Sequence, residues 1–403
     1  MNNWIEVSLA DVLQEKGYIR GPFGSALKRG DLLSVGIPVY EQQHAIYNIR
    51  DFRYFISDSK FETMKRFQVK PNDLIISCSG TVGKVSIIGA NDPKGIISQA
   101  LLLLRVNDKI INPLYLKYFF SSWEGYNALV SRSGGSVQAN ISRREVIESI
   151  PLRLPSLETQ NRIVSVLSAI DDKVKNNIGI NQNLEKQLEA LFIREFANDI
   201  ATASTDTCPK LGDLITVIDN RGKTPPLTNE TFDYPIIDVG ALTGDGRIID
   251  FNNCTKFVDQ TTYETWFRSG HPKAWDILIS TVGSLAEMKI HLGSKGCMAQ
   301  NVVALRSTSI KPLYLYQYLK LIRADLIAYN IGSVQPSIKV THIVKHPIFV
   351  PESSKLNEFE ETARTITNCL YANCIESESL KELRDILLPK LMSGEIDVSM
   401  IDN

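Results

Sequence analysis

The chain has no long apolar run, and its longest aliphatic stretch, residues 100–104, is far too short to cross a lipid bilayer. Residues 1–7 show no basic region followed by an apolar stretch, so we expect no signal peptide and a cytoplasmic protein. The six cysteines form no Cys-x-x-Cys pair, and the five histidines form no His-Glu-x-x-His motif. We therefore expect reduced, mostly buried thiols and no metal site.

A large excess of either charge is also missing, because 44 basic residues face 45 acidic ones. This balance hides a regional pattern. Residues 1–155 carry 19 Lys and Arg against 14 Asp and Glu, and residues 201–351 carry 15 against 13. Residues 156–200 carry 5 against 7, and residues 352–403 carry 5 against 11. Two mildly basic blocks thus alternate with two acidic ones in a chain long enough for two to three domains.

The sequence repeats itself at a distance of about 200 residues. Five short segments recur in the same order: DLIIS at 73–77 and DILIS at 276–280, SQA at 98–100 and AQN at 299–301, PLYL at 113–116 and 312–315, GSVQ at 135–138 and 332–335, and IPLRLP at 150–155 and HPIFVP at 346–351. Such an ordered set predicts two domains of the same fold.

Each repeat has the pattern of an α+β domain. The apolar runs at residues 74–76 and 277–279 are typical of buried strands, and short strands are also expected at 37–40 and 235–239. The aromatic segment 114–120 follows Pro113, a residue favoured at the first position of a helix.

Beyond Pro155 and Pro351 the apolar residues recur at steps of three and four, which indicates a long helix in each repeat. Each run of about 35 residues would span about 50 Å as a helix. We expect the two helices to pack antiparallel about a pseudo-twofold axis, with Asn177, Asn181 and Asn373 fixing the register. The alternative is that each helix packs on its own globular domain.

Four segments carry a family resemblance: LPSLETQNRIV at 154–164, GGSVQANIS at 134–142, RGKTP at 221–225 and LPKLMSGEI at 388–396. Together they closely resemble the specificity subunit of type I restriction-modification systems, over essentially the whole chain. The second junction, residues 351–358, lacks the Leu-Glu-x-Gln pattern that residues 157–160 show in the first.

The resemblance implies an α+β protein of two tandem repeats, each a mixed α/β target-recognition domain followed by a long helix. Residues 1–155 and 201–351 would be the two recognition domains, each reading one half of a bipartite DNA target. Residues 156–200 and 352–403 would be spacer helices, packed as an antiparallel coiled coil that sets the gap between the half-sites.

The resemblance also implies partners, because the specificity subunit is itself non-catalytic. Two methyltransferase subunits that use S-adenosylmethionine would dock on the helices and methylate adenine in double-stranded DNA. A restriction and translocase subunit that uses Mg²⁺ and ATP would join them and cleave unmethylated DNA. We expect no cofactor in this chain.

Basic residues and glycine-rich loops are the expected DNA contacts, because they approach phosphates closely. The candidates are Lys28, Arg29, Ser79, Thr81, Lys84, Arg221, Lys223, Thr224 and Ser284. Gln99, Gln138, Gln300 and Gln335 could pair with adenine edges. Their presence in both repeats favours a shared role in the fold, and the segments that differ, residues 41–66 and 238–268, are the better place for discriminating residues.

The sequence leaves two alternatives to DNA recognition, a nuclease and a scaffold. Asp276, Glu287 and Lys289 imitate the carboxylate and Glu-x-Lys set that holds Mg²⁺ in many nucleases. The matching Asp73 is followed by no Glu-x-Lys, so we interpret both aspartates as turn residues before a strand. The second alternative is a coiled-coil scaffold with two protein-binding globular domains, which would show none of the steep salt dependence of DNA binding.

Overall fold

A computed structural model describes residues 4–131, 140–228, 234–293 and 296–399. Packing divides the chain into two units, Met1–Lys173 with Ser379–Asn403, and Val174–Glu378. The domain boundaries drawn from the sequence stay a prediction. No helix within the described ranges combines the length and the apolar character of a membrane span. All six cysteines lie in these ranges, where none forms a disulfide and three, Cys78, Cys254 and Cys297, are buried.

The elements of the first repeat alternate short strands and helices before one long helix. The strands are β1 Ile5–Ser8, β2 Leu13–Arg20, β3 Ile37–Tyr40, β4 Phe55–Ile56, β5 Leu74–Ser77, β6 Val85–Ile87, β7 Ile96–Ile97, β8 Leu101–Val106, β9 Val130–Ser131, β10 Asn140–Ile141 and β11 Pro151–Leu154. The helices are α1 Leu9–Val12, α2 Gln42–Ile46, α3 Asp58–Thr63, α4 Pro113–Ser121, α5 Trp123–Leu129, α6 Arg144–Glu148 and the long α7 Leu157–Thr202.

The described part of the second repeat keeps the order of the sheet strands and of most helices, with fewer strands. Its strands are β12 Ile215–Ile218, β13 Ile236–Ile237, β14 Ile277–Ser280, β15 Met288–Ile290, β16 Cys297–Met298 and β17 Val302–Ser307. Its helices are α8 Val239–Leu242, α9 Gln260–Thr265, α10 Pro312–Leu321, α11 Arg323–Ala328, α12 Val340–Lys345 and the long α13 Ser353–Ser393. Helix α13 ends there because Gly394 adopts a φ of +77°, a left-handed conformation that stops a helix.

The two repeats build the same sheet. In the first, a four-stranded antiparallel sheet has the order β2-β8-β5-β6, and in the second the order is β12-β17-β14-β15. A short parallel pair accompanies each sheet, β3 with β7 and β13 with β16. The predicted strands at 74–76 and 277–279 are the buried central strands β5 and β14. The predicted α+β fold and its duplication are confirmed.

A buried ion pair crosses each sheet at the same position. Arg105 donates from Nε and a terminal nitrogen to the Asp73 carboxylate at 2.8 and 2.7 Å. Arg306 reaches Asp276 in the same way, at 3.0 and 2.6 Å. Both carboxylates are almost fully buried, and each also accepts a backbone N–H from three residues earlier. Each aspartate is therefore the turn residue that was predicted and also the partner of an arginine on β8 or β17.

The long helices share one core with the globular domain in each unit. In the second unit Phe196 of α7 contacts Phe359 of α13 and Tyr314 of α10, with ring centroids 5.3 and 5.1 Å apart. In the first unit Ile163 and Leu167 of α7 join Leu388 and Leu391 of α13 in the core that also holds residues of α4. The two packing alternatives raised by the sequence are both realised, because each helix packs on the other and on a domain.

The predicted asparagines lie in the seam between α7 and α13 of the second unit. Asn177 is 1% exposed and donates to Glu376 at 2.8 Å and to Ser377 at 3.2 Å. Asn373 donates to Asn181 Oδ1 at 2.8 Å. Later residues of α7 face earlier residues of α13, so the helices run antiparallel. Buried amides need partners, so these bonds favour this register over neighbouring ones.

The second helix start replaces the missing glutamine with a carboxylate. In the first repeat Gln160 of α7 accepts the N–H of Asn112, the residue before α4, at 2.9 Å. In the second, Glu360 of α13 accepts the N–H groups of Leu313 and Tyr314 at 3.0 and 3.3 Å, at the start of α10. Burial raises the pKa of the Glu360 carboxyl, and these donors oppose the shift. The Leu-Glu-x-Gln pattern is thus dispensable for this contact.

The seam predicts a specific cross-link. Asn181 Nδ2 lies 3.5 Å from Sγ of Cys374, so N181C places two sulfur atoms within reach of a disulfide. In a Cys369→Ser background, mild oxidation of N181C should give a species that migrates faster on a non-reducing gel and reverts with reductant.

The matched control is I180C, one residue away on a side chain that is 47% exposed. It should stay uncross-linked. Equal cross-linking of both variants, or none of N181C, would contradict the register.

Candidate nucleic-acid interface

A serine hydroxyl builds the same turn after the central strand of each sheet. Ser77 Oγ donates to the carbonyl of Thr81 at 2.6 Å and accepts the N–H of Lys84 at 3.0 Å. Ser280 Oγ donates to the carbonyl of Ser284 at 2.5 Å and accepts the N–H of Glu287 at 2.9 Å. The turns joining β5 to β6 and β14 to β15 therefore share one backbone design.

The same two positions of each turn have a left-handed backbone. Gly80 and Gly83 have φ values of +61° and +79°, and Gly283 and Ala286 have +86° and +54°. Glycine adopts this conformation without cost, whereas alanine there is strained. Ala286 is thus a strained residue in a turn that its counterpart forms with glycine.

The candidate loops of each repeat meet at one duplicated segment. In the first repeat the N–H of Cys78 donates to Ala100 and the N–H of Gly21 to Leu101, both at 2.9 Å. In the second, the N–H of Thr281 donates to Asn301 at 2.8 Å, and the Gln300 amide donates to Thr224 at 2.9 Å. The repeated SQA and AQN segments hold the loops together.

These bonds bear on the repeated glutamines. Gln300 binds another loop of its own domain, which supports the structural role favoured for it. Gln99 and Gln335 are exposed. Gln138, with most of the GGSVQANIS segment, lies outside the described residues.

In the first repeat every candidate DNA contact is exposed. Lys28 and Arg29 lie at a 3₁₀ turn, Arg29–Asp31, where the Lys28 N–H donates to Asp31 at 2.8 Å. Ser79, Thr81 and Lys84 lie together on the β5–β6 turn, and Ser79 donates to Gln42 of α2 at 3.0 Å. The structure thus groups three of these five residues on one turn.

In the second repeat Lys223, Thr224 and Ser284 are exposed. Arg221 differs, because its half-buried guanidinium donates to the Asp219 carboxylate at 2.7 Å. Its charge is partly neutralised within its own loop, which makes it a weaker phosphate ligand than Lys223. Contact of all nine candidates with DNA stays a prediction.

The acidic set that imitates a nuclease is held by arginines. The Asp276 carboxylate is bound by Arg306, as described above, and Glu287 accepts from Arg323 of α11. Lys289 is 4% exposed, and burial lowers the pKa of its ammonium group. Both carboxylates are thus paired with arginines of their own domain.

Sequence reasoning missed Arg105 and Arg306, which hold the two turns through their aspartates. A signal was present, because LLLLRV at 101–106 and VVALRS at 302–307 place an arginine at the same position of both repeats. It also missed that one turn position differs between repeats, with exposed Lys84 in the first and ion-paired Glu287 in the second.

Comparison with known families agrees with this architecture. The sequence model described as the type I restriction modification DNA specificity domain matches residues 1–186 and 208–384. The chain belongs to this family. It is a type I restriction-modification specificity subunit with two target-recognition domains, and such subunits are non-catalytic because methylation is carried by partner subunits.

Individual relatives have low sequence identity to this chain but match most of its length. The chain is 25% identical to the type I restriction enzyme MjaIX specificity subunit of Methanocaldococcus jannaschii, over 70% of this chain and 69% of that protein. It is 22% identical to the HindI specificity subunit of Haemophilus influenzae, over 98% and 100%. A solved structure of the type I S subunit from M. genitalium shares the fold, with a TM-score of 0.57 and 17% identity over 97% and 96% of the two chains.

Exchange of glycine and alanine should have unequal effects on the free energy of unfolding in the two turns of this specificity subunit. A Cβ at Gly83 would lie 2.7 Å from Val130 and 2.9 Å from Tyr126, so G83A should lower the free energy of unfolding by about 1–3 kcal/mol. A286G relieves a left-handed alanine but also removes a buried methyl group, so it should change the free energy of unfolding by less than about 1 kcal/mol. Denaturant titration of both variants measures the difference, and equal destabilisation would contradict the shared turn design.

Proposed function

We propose that this specificity subunit reads a bipartite DNA target, with one recognition domain on each half-site and the helices α7 and α13 as the spacer. The duplicated turn carries the proposal. Its backbone is the same in both domains, while its exposed residues differ, with Thr81 and Lys84 in the first domain and Ser284 in the second, where the position of Lys84 is taken by ion-paired Glu287. A shared scaffold with differing side chains is what two readers of different half-sites require.

The exposed cations suit phosphate contact. Lys28, Arg29 and Lys84 of the first domain and Lys223 of the second stand on turns or glycine-rich loops, where the backbone allows close approach to a duplex. Ser79, Thr81, Thr224 and Ser284 add hydroxyl groups on the same loops, which hydrogen-bond to phosphates or base edges.

The partners are part of the proposal. Two methyltransferase subunits dock on the spacer helices and bind S-adenosylmethionine, and a restriction and translocase subunit supplies the sites for Mg²⁺ and ATP. In this assembly the present chain contributes recognition and positioning, and the reacting groups belong to the partners.

The decisive experiment is single-molecule sequencing of methylated adenine in the host genome, with and without the gene. We expect deletion to abolish methylation at one interrupted two-part motif and leave other methylation unchanged. An unchanged methylome, together with no motif-specific methylation by the chain reconstituted with the neighbouring methyltransferase, would favour the scaffold alternative.

Lys84 allows a test of the first half-site alone. K84A in the reconstituted complex should weaken binding to the mapped motif and reduce the slope of log affinity against log salt by about one, because one phosphate contact is lost. Lys109, an exposed lysine before α4, is the matched control, and K109A should leave the slope unchanged. If both variants behave alike, the β5–β6 turn does not contact DNA.

A further inference from the structure

Arg247 is the largest fully buried side chain of the second unit, and it lies in a loop, where arginine is ordinarily exposed. Its Nε and a terminal nitrogen donate to the two oxygens of Glu185 on α7, at 2.9 and 2.8 Å. Its other terminal nitrogen donates to Thr367 on α13 at 3.1 Å. One guanidinium from the recognition domain thus binds both long helices.

The loop that carries Arg247 is joined to the sheet. The N–H of Ile290 on β15 donates to the Arg247 carbonyl at 2.6 Å, and Ile248 forms a bridge with Ile290. Strand β15 pairs with β14, and the turn between these strands carries the candidate DNA contact Ser284. A short chain of bonds therefore leads from Glu185 on the spacer to the turn proposed to face DNA.

Few other contacts hold the loop of Arg247 against α7. Beside Arg247 the second unit has a cavity of about 790 Å³, lined by α7, α10 and the 244–248 loop. Buried Lys289 also faces Glu185 from β15, and Tyr316 of α10 lies under the guanidinium, 5.3 Å from ring centroid to Cζ. The backbone N–H of Arg247 also donates to Glu185 at 2.9 Å, so this bond and the ion pair together hold the loop against α7.

The first repeat contacts its helices differently. There Asp171 of α7 accepts from Arg384 of α13 at 2.9 Å and from the Tyr118 hydroxyl of α4 at 2.9 Å. Lys117 of α4 also pairs with Asp171, at 3.6 Å, so the first domain offers a hydroxyl and a flexible ammonium group rather than a guanidinium. An arginine offered by the domain itself is a feature of the second repeat.

We propose that Arg247 is a positioning residue that fixes the second recognition domain on the spacer helices and so sets the gap tolerated between the half-sites. This inference rests on the proposed reading of a bipartite target. A planar guanidinium that binds a carboxylate in two places and a hydroxyl in a third restricts rotation as well as distance. Loss of that restraint lets the domain shift on the spacer, so targets with one base pair more or less between half-sites become acceptable.

The test measures gap preference with the reconstituted methyltransferase complex and the mapped motif. Duplexes carry the native gap or one base pair more or fewer, and the readout is the ratio of methylation rates. R247M should lower the wild-type preference for the native gap by about tenfold, which corresponds to the loss of roughly one strong restraint. R247K retains the charge without the fork and should fall between the two.

Two comparisons separate positioning from general stability. K355M removes a cation of α13 that pairs with Asp199 of α7 at 3.0 Å without involving the recognition domain, and it should leave the preference unchanged. R247M/E185L/K289M replaces the ion pair and the buried lysine that also faces Glu185 with apolar groups, and it should regain thermal stability without regaining wild-type preference.

The outcomes are distinct. A wild-type complex that methylates no interrupted motif would overturn the proposed function and this inference with it. A wild-type complex that does so, with R247M showing an unchanged gap preference or the triple variant restoring preference together with stability, would overturn the role of Arg247 alone.

Discussion

Neither long helix can bury its apolar stripe alone, and this constraint organises both units. In the second unit the stripe of α7 meets α13 and α10 at once, through Phe196, Phe359 and Tyr314. Burial of three aromatic rings in one contact is worth several kcal/mol at about 25 cal/mol per Å². The second recognition domain and the long helices are therefore not joined by a flexible linker, because α7 and α13 contribute side chains to the core of that domain.

The two recognition domains keep the contacts that hold the turn and differ in the residues that the turn exposes. An arginine on the neighbouring strand neutralises the aspartate before the central strand, and a serine hydroxyl closes the turn that follows it. These bonds are internal, so they tolerate different exposed side chains on the turn, such as Thr81 in the first repeat and Ser284 in the second. A duplicated domain can in this way change its exposed residues without losing its fold.

Much of this fold could be predicted because its signals are local. The apolar runs of β5 and β14, the proline before α4 and the helical spacing beyond Pro155 each depend on residues close in sequence. Arg247 carries no such signal, since its partners Glu185 and Thr367 lie 62 and 120 residues away. Glu360 shows a second limit, because a carboxylate performs the contact that the motif assigns to a glutamine. Arg221 shows a third, since a basic residue in a glycine-rich loop looked available while Asp219, two residues earlier, binds it.

Duplication explains why the two readers can be anchored by different chemistry. Each must be fixed to the same pair of helices, but the contact points on α7 and α13 are separate residues that can change independently. The first domain offers Tyr118 and Lys117 to Asp171, which Arg384 of α13 also binds, so this contact survives loss of one donor. The second offers the fully buried Arg247 to the partly buried Glu185, and loss of Glu185 deprives the buried charges of Arg247 and Lys289 of their carboxylate, which is more costly than loss of a neutral bond. Substitution of Glu185 is therefore the more costly of the two, because this carboxylate faces two buried cations, Arg247 and Lys289.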